Sequence, residues 1–361
     1  MRVLLISTDR SIFAEESSTR RRHRAYAKYF DELHVLCISE GTPFAAVRDG
    51  NLTIYPSSPP APFFSKLSRR IRAAYSIAGI ISRYGIDVVS VQDPFETGVA
   101  ALIGMMGLGA TFHVQVHTDF LSPNYRRLSL INRIRALIAG FVLRRASRIR
   151  VVSEHIKASI QEQYHLNVPI SALPIFADVE RIHRASPDEK LLVRFAAYKT
   201  KLLVVSRLEP EKNVGLAIRA FARSAPRDVC LIIVGSGSER LSLQRFAKRL
   251  NVAERVFFDA DAEAAPYFKF ADLVLVPSKY EGYGLVIIEA LAAGKPVLAT
   301  DVGIAREAGA IVTTEEKFAD ALAEWFKSGP RTGELKNCPY KNFDEYVRAY
   351  CDDIKRCAIA Q

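Results

Sequence analysis

Two carboxylates eight residues apart are the first sign of chemistry in this chain. Glu281 and Glu289 lie in the segment Pro277-Ser-Lys-Tyr-Glu-Gly-Tyr-Gly-Leu-Val-Ile-Ile-Glu289. A strand-like run ends at Pro277, a loop carries Glu281, Gly282, Tyr283 and Gly284, and a helical pattern begins at Leu285. Glycines ahead of a helix leave its first amides free at the positive end of the dipole, which suits a diphosphate. They also let backbone approach a ligand closely. Two carboxylates at such a place can accept hydrogen bonds from the hydroxyls of a sugar and a ribose. The spacing alone equally allows helix-start chemistry, with Glu281 as a dipole partner and Glu289 as a solvated helix residue.

Two cations and a glycine pair precede this segment. Ser206-Arg207-Leu208-Glu209-Pro210-Glu211-Lys212-Asn213 follows the strand-like run Leu202–Val205. Open α/β sheets bind ligands in the loops after their strands. Arg207 and Lys212 there can neutralise a leaving diphosphate without a metal ion. Gly235-Ser236-Gly237 follows the run Leu231–Val234 but lacks the third glycine of a dinucleotide fingerprint, so NAD binding is not inferred.

These residues need elements to hold them. Short β-branched runs recur, each followed by a helical pattern: Val3–Ser7, Leu33–Ile38, Ile86–Val91, Thr111–Val116 and Arg148–Val152 in one series. A second series runs through Leu202–Ser206, Val229–Gly235, Val256–Phe258, Leu273–Pro277 and Val297–Thr300. Runs that are continuously apolar rather than alternating predict parallel strands buried on both faces. The fold class is therefore α/β, with two doubly wound domains in sequence and a ligand cleft at their strand ends. Residues 1–185 form the expected first domain and 190–338 the second. The segment from Asp178 to Thr200, charged and without clean periodicity, is the expected boundary. Residues 340–361 predict a last helix.

The 361 residues suit about two domains. With 49% hydrophobic and 25% charged residues, disorder, collagen and small disulfide scaffolds are excluded. Five cysteines without a CxxC or Cys/His cluster argue against zinc and for reduced thiols in a cytoplasmic protein. The opening apolar run, Val3–Ile6, is shorter than a secretory signal and reads as a buried strand. The longest uncharged stretch, Thr97–Thr118, is broken by four glycines and carries two histidines, so no membrane span is expected.

In order and spacing, Arg207…Lys212-Asn213, Gly235-Ser236-Gly237 and the Glu281-to-Glu289 pair resemble glycosyltransferase family four. These are retaining, nucleotide-sugar-dependent enzymes of the GT-B fold. The resemblance implies that Arg207 and Lys212 hold the donor diphosphate, Glu281 contacts the donor sugar and Glu289 binds the ribose. It implies that Gly282, Tyr283, Gly284 and Leu285 present backbone to sugar and phosphate, with Gly235 and Gly237 also on the donor side. It implies metal-independent catalysis with no cofactor, and a last helix that returns to the first domain. His117, at the end of the run Val114-Gln-Val-His117, corresponds to a family histidine facing the reacting sugar, whereas His113 reads as structural. Ser153 and Glu154, after a further strand, are acceptor-side candidates. The paired glycines usual after the first strand are replaced by Ala14-Glu-Glu-Ser-Ser-Thr-Arg20, where Ser18 and Thr19 are the acceptor-side candidates. Ala260 stands where a glycine is common, and the segment after Gly303 is short.

The charge has an address. Lys and Arg total 50 against 39 acids, a net +11. Met1–Lys190 carries 25 cations against 17 acids, and the remainder 25 against 22. No acid occurs from Asn51 to Ile86 or from Phe120 to Ser153. In the windows 63–83 and 126–150, basic residues interleave with apolar ones, the pattern of helices that lie on an anionic membrane. The expectation is an enzyme peripheral to the inner membrane face, with a lipid-linked or glycan acceptor; the alternative is packed core with solvated arginines. Two other functions are weighed. A nucleotide-sugar epimerase of the same fold needs carboxylates placed for deprotonation, which are not identifiable. A nucleic-acid-binding protein rests on charge alone.

Overall fold

The computed structural model of the chain describes residues 1–39, 45–57, 66–186, 188–260 and 263–359; for 66–70 only the backbone is described. Pro187 therefore lies outside the described residues, as do Phe63 and Phe64. In chain order, the first part contains β1 (Arg2–Ser7), α1 (Ser18–Ala27), β2 (Glu32–Cys37), β3 (Val47–Asp49), β4 (Leu52–Pro56), α2 (Lys66–Tyr84) and β5 (Val88–Val91). It continues with α3 (Glu96–Gly104), β6 (Thr111–Val116), α4 (Pro123–Leu128), α5 (Leu130–Leu143), β7 (Arg148–Val151), α6 (Glu154–Tyr164) and β8 (Ile170–Ala172). The second part runs through α7 (Val179–Arg184), α8 (Glu189–Arg194), β9 (Thr200–Val205), α9 (Val214–Ser224), β10 (Val229–Val234), α10 (Arg240–Arg249), β11 (Val256–Asp259) and α11 (Ala264–Phe270). Then follow β12 (Leu273–Val276), α12 (Leu285–Ala292), β13 (Val297–Thr300), α13 (Ala305–Ala308), β14 (Ile311–Thr313), α14 (Phe318–Ser328) and α15 (Phe343–Ile359).

Two compact units result. The first comprises Met1–Leu121, Ser129–Pro174 and Phe343–Gln361; the second comprises Ser122–Leu128 and Ile175–Asn342. The chain thus leaves the first unit at 174 rather than 185, and α4 belongs to the second. The segment 178–200 is not an irregular linker. It holds α7 and α8, capped by Asp178 and Asp188, whose side chains accept from Arg181 N and Lys190 N. Six-residue helices are too short for a 3.6-residue period to show in sequence. Their Ile182 and Leu191, with Phe195, are buried in the second unit's core.

The first unit is built on an eight-stranded sheet of order β3-β4-β2-β1-β5-β6-β7-β8. All pairings are parallel except β3–β4, an antiparallel hairpin that finishes one edge. The second unit's sheet has the order β11-β10-β9-β12-β13-β14 and is parallel throughout. The order reverses between β1 and β5 in one sheet and between β9 and β12 in the other, so each sheet has a switch point where neighbouring loops diverge.

Most strands are apolar on both faces, but β6 and β7 alternate. Thr111, His113 and Gln115 project to one face of β6, and Arg148 and Arg150 stand beside them on β7, in the registers His113↔Arg148 and Gln115↔Arg150. All but Arg148, which is half-buried, are buried, and α15 covers them. Cys357 Sγ lies 3.7 Å from Thr111 Oγ1, Asp353 Oδ2 lies 3.1 Å from His113 Nε2, and Tyr350 accepts from Gln115 Nε2 at 2.8 Å. Arg148 and Arg150, counted with the surface charge in the sequence, are thus interior residues. Arg148 Nε donates to Asp353 Oδ1 at 2.6 Å. Burial alone would raise the Asp353 carboxyl, but hydrogen bonds and charge from His113 and Arg148 outweigh it and hold it below its usual value.

Removing Asp353 strands a cation and a histidine in the interior. Asp353→Ala is expected to lower stability by about 3–5 kcal/mol, the usual loss when one partner of a buried pair is deleted. Equilibrium urea unfolding at neutral pH measures it, and a loss under about 1 kcal/mol means the pair is not what anchors α15.

Candidate functional site

The second unit's switch point gathers the predicted donor-side residues. After β9 the chain passes through Ser206–Leu208, and Asn213 (φ +50°) then turns it into α9. After β12 it passes through Pro277–Tyr283 and turns at Gly284 (φ +99°) into α12. No side chain caps either helix, so the first amides of α12 are not used by a capping group. Lys279 N donates to Glu211 O at 2.8 Å, which ties the two loops together. Lys212 Nζ reaches both oxygens of Glu281, at 2.6 and 2.8 Å. Ser278 Oγ, buried, donates to Glu281 Oε1 at 2.8 Å. An ammonium with two of its three protons on Glu281 keeps one for an incoming oxygen. Arg207 is exposed and donates to Glu211 at 2.8 Å, so it waits at the rim of the same loop.

The glycines have specific work. A Cβ on Gly303 (φ +55°) would stand 2.2 Å from the Tyr283 carbonyl, which accepts from Ile304 N at 3.0 Å. This contact fixes the Gly282–Gly284 turn from behind. The Tyr283 side chain is buried, so only its backbone is available to a ligand. At Gly235 a Cβ would meet Ser206 O at 2.0 Å, and at Gly237 Leu208 O at 2.4 Å. These two glycines let the loop after β10 lie backbone to backbone on the Arg207 loop. Leu208 N donates to Ser236 O at 2.8 Å across that contact.

Glu289 is not a solvated helix residue. It is half-buried on α12, and desolvation pushes its carboxyl up to about 7, opposed only by the charge of Arg181. No hydrogen-bond donor reaches it among the described residues. Arg181, on α7, donates to Glu263 and lines a cavity of about 510 Å³ with Asp178, Arg184 and Glu263. Sequence reading missed Arg181 and Ser278, since neither stands in a recognisable spacing. It also missed α4, which sits against the Lys212 loop with Asn124 Nδ2 donating to Lys279 O at 3.0 Å.

The first-unit candidates are scattered by role. His117 follows β6, is half-buried, and places Nε2 3.1 Å from Gln115 Oε1. Ser18 is exposed at the start of α1, whereas the Thr19 hydroxyl is buried and donates to Asp9 Oδ2 at 2.7 Å. Ser153 caps α6, accepting from Ile156 N at 3.3 Å, and the exposed Glu154 pairs with Lys157. His113 bonds Ser90 and Asp353 inside the sheet's covered face, as a structural histidine would. Among the described residues no group of three or more His, Cys, Asp and Glu side chains is placed to hold a metal ion.

Residues 16–181 match the family model "Glycosyltransferase Family 4" and residues 193–342 the family model "Glycosyl transferases group 1". The chain belongs to the family four glycosyltransferases, with two parallel-sheet units of the GT-B class. An alpha-monoglucosyldiacylglycerol synthase of Streptococcus pneumoniae is 26% identical over 67% of this chain and 58% of its own length. An N-acetyl-alpha-D-glucosaminyl L-malate synthase of Bacillus anthracis is 25% identical over 64% of this chain and 60% of its own. The chain therefore matches about three-fifths of the length of these relatives. Among solved structures, a sucrose-phosphate synthase from Thermosynechococcus elongatus superposes with a TM-score of 0.76 at 17% identity, covering 99% of this chain and 97% of its own. Anabaena HepE, solved with UDP, gives 0.68 at 19% identity, with 99% and 98% covered.

The Glu289 carboxyl makes stability depend on pH. Its folded value of about 7 lies above the ordinary 4.5, so between these pH values the folded chain holds more protons than the unfolded one. Stability then falls as pH rises through that window. Glu289→Gln is expected to raise stability at about pH 8 by roughly 1–3 kcal/mol and to change it little near pH 5. Calorimetry at the two pH values checks this; a variant no more stable than wild type at the higher pH contradicts it.

Proposed function

We propose that the chain is a retaining glycosyltransferase that moves a sugar from a nucleoside diphosphate donor to an acceptor hydroxyl without a metal ion or cofactor. The Lys212–Glu281 pair, beside the uncapped start of α12, carries the reading. It supplies a cation for phosphate, a carboxylate for sugar hydroxyls and free amides within one loop pair. Glu289 then takes the ribose. A hydroxyl pair supplies the donors its carboxylate lacks. Structures of like fold solved with UDP, or with UDP and glucose, support a nucleotide-sugar as substrate. In the same-face route the anomeric bond to the diphosphate breaks as the acceptor oxygen adds, and the acceptor proton passes to the leaving phosphate. Arg207 and Lys212 stabilise the charge that grows there. Retention is proposed from the likeness to the family, and His117, Ser18 and Glu154 are proposed for the sugar and acceptor side on the same ground.

The acceptor is proposed to be lipid-linked, reached from an anionic membrane surface. Helix α5 supports this. It turns Leu130, Ile131, Ile134, Leu137 and Phe141 outward, each more than half exposed, and packs the small Ala136, Ala139 and Gly140 inward together with Val142 and Leu143 at its end. Ile103 and Met106 at the end of α3, which packs on both α2 and α5, are exposed as well, as are Ile71 and Tyr75 on α2. The exposed Arg133 and Arg145 flank this apolar face. The surface segment is shorter than the window 126–150: it spans α5 and its flanks, not α4 or β7. No helix among the described residues is long and apolar enough to cross a membrane. The name of the Streptococcus relative, a synthase of a glycosyl diacylglycerol, points the same way.

Lys212→Ala is expected to lower turnover about 10²–10⁴-fold in an assay of nucleotide-sugars against lipid acceptors. Wild-type turnover in the folded variant contradicts the assignment. Donor incubated without acceptor separates an epimerase, which would isomerise the sugar.

The membrane reading is tested by flotation with vesicles of anionic and of zwitterionic lipid. Binding is expected to anionic vesicles only and to weaken with salt. Leu137→Asp with Phe141→Asp, both at exposed positions, is expected to reduce it about tenfold or more without changing the melting temperature. Equal flotation of the variant removes α5 from the contact.

A further inference from the structure

The covered polar face of β6 and β7 also fixes a proton. Every hydrogen bond that an arginine makes in it has a set direction, because an arginine can only donate. Arg150 Nη1 donates to Gln115 Oε1 at 2.8 Å, so that atom of the amide is the carbonyl. The other end of the same amide donates twice, to Ser90 Oγ at 3.0 Å and Tyr350 Oη at 2.8 Å. His117 Nε2 lies 3.1 Å from the same Gln115 Oε1. A carbonyl cannot donate, so the proton between them belongs to His117 Nε2. In neutral imidazole that leaves Nδ1 as a bare acceptor, and no protein group bonds it among the described residues.

Burial, and then the charge around the ring, keep it neutral. Burial, then Arg150 on β7 and Arg22 on α1, depress the imidazole to about 3 from an ordinary 6.5, and no carboxylate opposes them. Arg150 is itself locked. Its Nη2 donates to Leu173 O at 3.0 Å, and its guanidinium stacks 4.9 Å from the Tyr350 ring centre on α15.

We propose that Arg150 and Gln115 are positioning residues that hold His117 as the neutral Nε2–H tautomer, so that it meets its ligand as a hydrogen-bond acceptor through Nδ1 and selects a hydroxyl over a phosphate. That the hydroxyl belongs to a sugar rests on the glycosyl-transfer reading; the tautomer does not.

Imidazole ¹⁵N spectra of the full-length labelled protein test it, with His117 assigned by the signals lost in His117→Gln. His117 is expected to stay neutral and Nε2-protonated from about pH 8 to about pH 5. An Nδ1–H tautomer, or protonation near the ordinary 6.5, overturns the proposal. Arg150→Met is expected to free the Gln115 amide and mix the two His117 tautomers, seen as averaged ¹⁵N shifts, while burial still keeps the ring neutral. It should also lower kcat/KM about fivefold at every pH from about 5.5 to about 8, as the Nδ1 acceptor is lost from part of the population, which Arg150→Lys restores. A variant whose spectra and profile match wild type overturns the role of Arg150. If Arg150→Met does not fold, the wild-type spectra decide alone. Expected spectra with no transfer from any donor leave the tautomer standing and remove the glycosyl-transfer reading.

Discussion

A strand buried on both faces can place a polar side chain only under something that satisfies it. In the first sheet β6 and β7 place Thr111, His113, Gln115, Arg148 and Arg150 on one such face; α15 bonds the first four, and Arg150 donates to Gln115 and the Leu173 carbonyl with the Tyr350 ring against it. The match is one of pitch. Two strand residues advance about 6.6 Å, and a helical turn about 5.4 Å. Tyr350, Asp353 and Cys357, one turn apart on α15, therefore meet Gln115, His113 and Thr111 in order. The chain's last helix is specified by strands more than two hundred residues earlier. A purely apolar face would have accepted a helix in many registers; these bonds accept one.

The second unit shows the opposite economy. Its sheet is apolar, and its polar residues stand in the loops at the switch point, where they bond one another across two strands. Lys212 and Glu281 form a satisfied pair that holds the two loops in register before any ligand arrives. Glu289 is left desolvated with only a distant cation. A carboxylate buried without donors costs stability, and such strain is retained where a ligand relieves it. The two carboxylates of one spacing thus differ in kind: one is paired with Lys212, the other is desolvated and has no hydrogen-bond donor among the described residues.

Much of this was legible in the chain. Alternating strand and helix runs pointed to the two sheets, and the spacing from Arg207 to Glu289 marked the two loops that meet at the switch point of the second. Three things were not legible, each for a physical reason. Short helices such as α7 and α8 show no period, so Arg181 went unseen beside Glu289. The H-x-Q and R-x-R alternation in β6 and β7 was present, but charge in a local window reads as surface until the covering element is known. The roles of Gly235 and Gly237 depend on how closely the neighbouring loop approaches, which spacing does not encode; their first role is contact between loops. Ser153 stands after a strand and Thr19 in the stretch that replaces the paired glycines, and at both places capping and local bonding compete for a hydroxyl.

The basic, apolar windows divide in the structure by what lies beneath them. An ordinary surface helix turns its large apolar residues toward the core and its polar residues out. In α5 the sizes are inverted as far as Phe141, and only the last two residues, Val142 and Leu143, are large and buried. Alanines and a glycine face inward, where a Cβ on Gly140 would stand 2.8 Å from the Tyr164 ring, and leucine, isoleucine and phenylalanine face out. Small residues inside let the helix lie close to its neighbours, so the apolar residues outside are not left over from a loose core. Arg145 covers part of that face itself, with its guanidinium 3.6 Å from the Phe141 ring centre. An arginine that stacks on an exposed aromatic and keeps its charge outward suits an interface that is apolar below and anionic above. The net charge of the chain is thus divided: Arg148 and Arg150 serve the interior, and the arginines flanking α5 serve the surface.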